Sequence, residues 1–90
     1  MPTIAWLYGV SIRMFFNDHA PPHFHAVSSS GEARVDIATG DLLSGRLKPS
    51  ARVLIKDWTL ENQAALMANW DRAMRRQPLE LIPGTFRDDD

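Results

Sequence analysis

Between His23 and Ile37 apolar and polar side chains alternate on either side of a Ser29-Ser30-Gly31 turn. Successive strand residues point to opposite faces. Phe24 and Ala26 therefore share a face with Ala33, Val35 and Ile37 across a hairpin, and His23, His25, Glu32, Arg34 and Asp36 share the other. Matching apolar to apolar leaves one register: Val27 opposite Glu32, His25 opposite Arg34 and His23 opposite Asp36. A slip of one residue would turn Phe24 onto the polar side, which a buried core forbids. The pattern demands an antiparallel hairpin, and the remaining elements must build around it.

Earlier in the chain, Ile4, Trp6 and Tyr8 alternate with their neighbours, as do Val10, Ile12, Met14 and Phe16, and Gly9 marks a tight turn or bulge between the two runs. Thr39-Gly40-Asp41 signals a further turn, with a short strand at Leu42 and Leu43 after it. No helical crossover separates these runs, which argues against a parallel sheet. The second half changes period. Pro49 is preset for a first helical turn and Ser50 offers a capping hydroxyl. Ala51, Leu54, Ile55, Trp58, Ala65, Leu66 and Ala73 then follow near-helical spacing. Asn62 and Asn69 interrupt that stripe, and Thr59 offers a place for a kink. Pro78 ends the helix, and Arg72, Arg75 and Arg76 suit its negative C-terminal end. Leu79 to Ile82 is expected to return as a short strand, and Trp6, Trp58 and Trp70 are expected to fill the core.

The expected fold is α+β: an antiparallel sheet of about four strands packed on one long or kinked helix over about 50–76. It forms one domain over 1–90, mostly β over 1–47, helical over 48–77, with a flexible acidic tail over 84–90. Ninety residues support only one modest core. No cysteine is present, which excludes disulfides, thiolate zinc sites and cysteine nucleophiles. The net charge of −1 argues against a general nucleic-acid binder. No apolar run reaches membrane-spanning length and no leader pattern opens the chain, so the expectation is a cytoplasmic protein without membrane contact.

All three histidines fall within Asp18-His19-Ala20-Pro21-Pro22-His23-Phe24-His25. The register sets a carboxylate, Asp36, beside His23 and a guanidinium, Arg34, beside His25. Two histidines with oppositely charged neighbours suit a general acid/base pair that needs no cofactor. Arg13, on the same side of the preceding strand, adds a second guanidinium for a phosphate or carboxylate. The competing reading is a metal site. Histidines two apart on a strand lie roughly 6.5–7 Å apart at Cα. Both rings can then reach one divalent ion such as zinc, with His19 swinging in from the loop and Asp18 or Asp36 as carboxylate ligand.

The run Phe16-Asn17-Asp18-His19-Ala20-Pro21-Pro22-His23-Phe24-His25-Ala26 resembles the signature of a small bacterial family of unknown function, DUF4160, some members of which are called DhiT-type toxins. Met1-Pro2-Thr3-Ile4, Ile12-Arg13-Met14, Asp36-Ile37 with Thr39-Gly40, Trp58 and Asn69-Trp70 match as well, so the likeness covers residues 1 to about 83. The resemblance implies the toxin component of a type II toxin–antitoxin pair, partnered by a small antitoxin protein. Its hallmark positions here are Asn17, Asp18, His19, Pro21, Pro22, His23 and His25. By analogy with other small toxins, the expected reaction is ribonuclease-like. His23 and His25 would move protons, Asp36 would orient them, and Arg13 and Arg34 would hold the phosphate of RNA. Asn17, Asp18 and His19 would bind, and Pro21 and Pro22 would hold the segment in shape. The alternative is a non-enzymatic interaction or metal-binding module whose histidine face docks a partner.

Overall fold

The computed structural model describes residues 3–16 and 18–84. Asn17 and the acidic tail from 85 on lie outside the described residues. Five strands form one antiparallel sheet in sequence order: β1 (Thr3–Leu7), β2 (Val10–Arg13), β3 (His23–Ser28), β4 (Gly31–Asp36) and β5 (Leu42–Gly45). Two helices follow, α1 (Pro49–Glu61) and α2 (Gln63–Met74). The architecture is α+β as the periodicities require, with five strands where about four are expected.

The β3–β4 hairpin has the register that the alternation dictates, pairing His23 with Asp36, His25 with Arg34 and Val27 with Glu32. On its other side β3 pairs with β2, setting Arg13 opposite His25. Tyr8 and Gly9, both at positive φ, make the two-residue turn between β1 and β2. Strand β2 ends at Arg13, so Phe16 is not part of the strand that the alternation suggests, although Met14 is buried.

The helices cover the apolar face. Ile55 and Trp58 from α1 and Leu66, Trp70 and Ala73 from α2 join Ile4, Ile12, Phe24, Val35 and Ile37 in one core. Trp58 meets Phe24 edge-on at 5.9 Å. Trp6 departs from expectation: it is 58 % exposed, because it faces outward from the edge strand β1.

The helix breaks at Asn62, three residues beyond Thr59. The Thr59 hydroxyl donates to the Ile55 carbonyl, and Asn62 Nδ2 donates to the Trp58 carbonyl. Such local side-chain bonds compete with the regular helical ladder. Pro49 opens α1 as expected, but the N-cap residue is Lys48 and no side chain caps the end, so Ser50 has no capping role. The expected return strand at Leu79–Ile82 is absent. Instead Ile82 N–H donates to the Ile4 carbonyl, and Asn69 brackets Glu80 with bonds to both its backbone groups, 2.8 and 2.9 Å. Asn69 thus interrupts the apolar stripe because it pins the returning chain. Among the described residues no helix is long and apolar enough to cross a membrane.

Candidate functional site

The polar face of β3 is not a wet surface: His23 is 3 % exposed and His25 8 %. Phe15 stacks on His25 at 4.2 Å, and the Trp70 indole lies 5.3 Å from the His23 ring. The two imidazoles meet edge-on at 5.3 Å. Histidines in such a setting must find partners for their ring nitrogens or leave them orphaned at a cost.

The two prolines set up the first of these partnerships. The Ala20–Pro21 peptide is cis. The Pro22 carbonyl accepts from Ile37 N–H, which extends the tie to β4 beyond its last paired residue. The Pro21 carbonyl lies 2.8 Å from His23 Nδ1. A carbonyl can only accept, so Nδ1 carries the proton, and in the neutral ring Nε2 presents a lone pair. That Nε2 is buried without a hydrogen-bond partner among the described residues. Asp18 Oδ2 stands 3.2 Å away, close enough for an ion pair but not aligned for a hydrogen bond.

The same Asp18 oxygen lies 3.1 Å from His25 Nε2, while Glu32 Oε2 lies 3.3 Å from His25 Nδ1. Both carboxylates accept, and a neutral imidazole has a single N–H. Donation to both needs a ring protonated on both nitrogens. Otherwise one of the two contacts must be held by something other than that proton. Asp18, His23 and His25 offer one ligand atom each, and the three atoms lie within 4.8 Å of one another. Zinc–ligand bonds of 2.0–2.1 Å in a tetrahedron place neighbouring ligand atoms about 3.3 Å apart. The separations from Asp18 to the two histidines are close to that edge length.

The remaining expected residues divide. Asp36 faces His23 in the register, but its Oδ1 accepts from Ala38 N–H at 2.9 Å and closes a local turn. Asp18, from the loop after β2, is the carboxylate that lies against both histidine rings. His19 is exposed and stands outside the three-residue cluster, which joins Asp18 to His23 and His25. Arg13 and Arg34 flank His25 on the neighbouring strands. Arg13 Nε donates to Ser11 Oγ at 3.1 Å, and Arg34 is exposed. Neither makes an ion pair among the described residues.

Sequence reasoning missed Glu32, Phe15 and Trp70 at this site. Glu32 was open to discovery, because it shares the polar face and sits diagonally across from His25. Nothing local points to Phe15 or Trp70. Elsewhere, a cleft of about 290 Å³ between the Gly40–Leu42 turn and α1 contains none of these residues. On its rim Lys56 bonds Asp41 at 2.9 Å, and this hydrogen bond holds the exposed Asp41 carboxyl below its usual range.

The model of the family described as a domain of unknown function, DUF4160, matches residues 9–71, from the start of β2 into α2. The chain belongs to that family. The matched segment holds Asp18, both site histidines, Glu32 and the two flanking arginines. No curated protein and no solved structure matches the chain.

Proposed function

We propose that this DUF4160 domain holds a divalent metal ion, zinc in the first instance, between His23 Nε2, His25 Nε2 and Asp18 Oδ2, and acts through it as the toxin of a toxin–antitoxin pair. The observation that carries the metal is the buried, partnerless Nε2 of His23, turned toward an oxygen that can only accept. Two lone-pair atoms 3.2 Å apart repel unless a cation or a proton lies between them.

The outer contacts agree. A metal-bound histidine commonly donates its other ring N–H to a carbonyl or a carboxylate, which fixes the ring and the tautomer. Pro21 O takes that place for His23 and Glu32 Oε2 for His25. Three protein ligands leave a fourth position for water or substrate, the pattern of reactive rather than purely structural zinc. A metal-free acid/base pair is less well supported. Both Nε2 atoms turn inward to one oxygen, where an acid and a base would each need to meet a substrate. The toxin setting, and a small antitoxin as partner, are supported by the resemblance of the Asp18–Ala26 run to DhiT-type toxins.

The test is zinc binding to the metal-stripped full chain, with metal content read by mass spectrometry. One ion per chain is expected, with binding weakened at least 100-fold in His23→Ala, His25→Ala and Asp18→Asn variants that keep the wild-type circular dichroism. A wild-type chain that takes up no divalent ion would remove the metal. Growth arrest on induced expression tests the other half. Arrest by wild type and none by folded His25→Ala is expected, and no arrest by wild type would overturn the toxin assignment.

A further inference from the structure

Three adjacent strands place Arg13, His25 and Arg34 directly opposite one another. Directly opposed residues share a face of the sheet. One guanidinium therefore rises on each side of a site histidine. On an ordinary solvated sheet face such arginines pair with neighbouring acids. Among the described residues they do not, although three carboxylates are close in the pattern. Asp18 bonds His25 and faces His23, Glu32 bonds His25, and Asp36 accepts from the Ala38 N–H. Among the described residues Arg13 is anchored only through Nε to Ser11 Oγ, and its two terminal amino groups meet no partner there. Arg34 is exposed and makes no hydrogen bond or ion pair among the described residues.

We infer that the centre binds a phosphoryl oxyanion, held between Arg13 and Arg34 with one oxygen toward the ion. This rests on the metal reading above and names the ligand of that same site. The two guanidinium groups and the ion together make a positive field that draws an anion. The planar fork of arginine matches phosphate oxygens two at a time. The charged oxygens of a phosphoryl group are tetrahedrally disposed and carry more lone pairs than those of a planar carboxylate, so they can face an ion and a guanidinium together. Free phosphate, a phosphomonoester and a nucleic-acid phosphodiester all present this chemistry.

The experiment uses the zinc-loaded full chain, titrated calorimetrically with inorganic phosphate and, separately, with the dinucleotide uridylyl-3′,5′-adenosine. Arg34→Gln should weaken the bound anion about 10-fold and Arg13→Gln/Arg34→Gln about 100-fold, with zinc content unchanged. Arg34 is exposed, so its variant retains the fold and keeps the test decisive even if Arg13→Gln does not. Dinucleotide binding at least as tight as phosphate, with the same arginine dependence, assigns a nucleic-acid phosphodiester. Binding of phosphate alone assigns a terminal or free phosphate. Anion binding indifferent to both arginines, or none to the zinc-loaded wild type, overturns the inference and leaves the metal standing. A chain that takes up no zinc overturns both.

Discussion

At the scale of single residues, Glu32 separates a metal centre from a mere hydrogen-bond cluster. Its carboxylate lies 3.3 Å from His25 Nδ1 and is itself more than half exposed, so its packing contribution is small. If His25 binds an ion through Nε2, Glu32 raises the basicity of the ring and fixes its orientation from behind. Removing such an outer partner typically costs 10–100-fold in metal affinity. Glu32→Gln keeps the shape and can still accept, but it loses the charge. We expect about 10-fold weaker zinc binding in Glu32→Gln, measured by competition with a chelator, and little change in thermal stability of the metal-free chain. The reverse result, unchanged zinc affinity with lowered stability, would make Glu32 a structural partner only.

At the scale of elements, the same glutamate depends on a glycine in the neighbouring strand. Gly45 ends β5 at φ +84, and the register between β4 and β5 is irregular at Arg34/Val35. A Cβ at Gly45 would collide with the Glu32 carbonyl and lie 2.7 Å from Ala33 Cα, which is backbone and cannot swing away. Both the left-handed conformation and the overlap oppose a side chain there. Gly45→Ala should destabilise the fold by about 2 kcal/mol or more, seen as an earlier urea midpoint. Faster amide exchange along β5 than along β3 should accompany it. Uniform loss of protection would instead show that β5 is not a separable edge. Strands of this kind were partly legible beforehand. The β3–β4 register followed from alternation alone, since one face had to be buried. The β4–β5 irregularity did not, because a bulge leaves no periodic trace. The helix break was legible in kind, through Asn62 and Thr59, but local bonding rather than spacing decided that it falls at Asn62.

At the scale of the whole molecule, the sequence located the site's residues better than its environment. His23 and His25 on one face, flanked by Arg13 and Arg34, could be read from pairing rules. The burial of that face could not, because its cover comes from the loop residue Phe15 and from Trp70 on α2, far apart in sequence. Asp36 looked like the orienting carboxylate because register sees only strands, whereas Asp18 arrives from a loop whose path no periodicity records. That origin has an energetic consequence. Asp18 belongs to the loop between β2 and β3, His23 and His25 belong to the central strand, and Trp70 ties His23 to α2. An ion at this point therefore joins segments that the unfolded chain holds apart, and it binds the folded state far better than the unfolded one. Free zinc at a hundredfold excess over its dissociation constant stabilises such a fold by about 2.7 kcal/mol. For a domain of this size each kcal/mol moves the midpoint by roughly 4–8 °C. Calorimetry of the stripped chain should show the unfolding temperature rising by about 10–20 °C on zinc addition and falling back with chelator. Asp18→Asn should lose most of that rise while its metal-free midpoint stays near wild type, because Asp18 is only partly buried and crowds a His23 nitrogen when no ion is bound. A metal-free midpoint that drops steeply in Asp18→Asn would show that the carboxylate stabilises the histidine pair by hydrogen bonding, with no ion required.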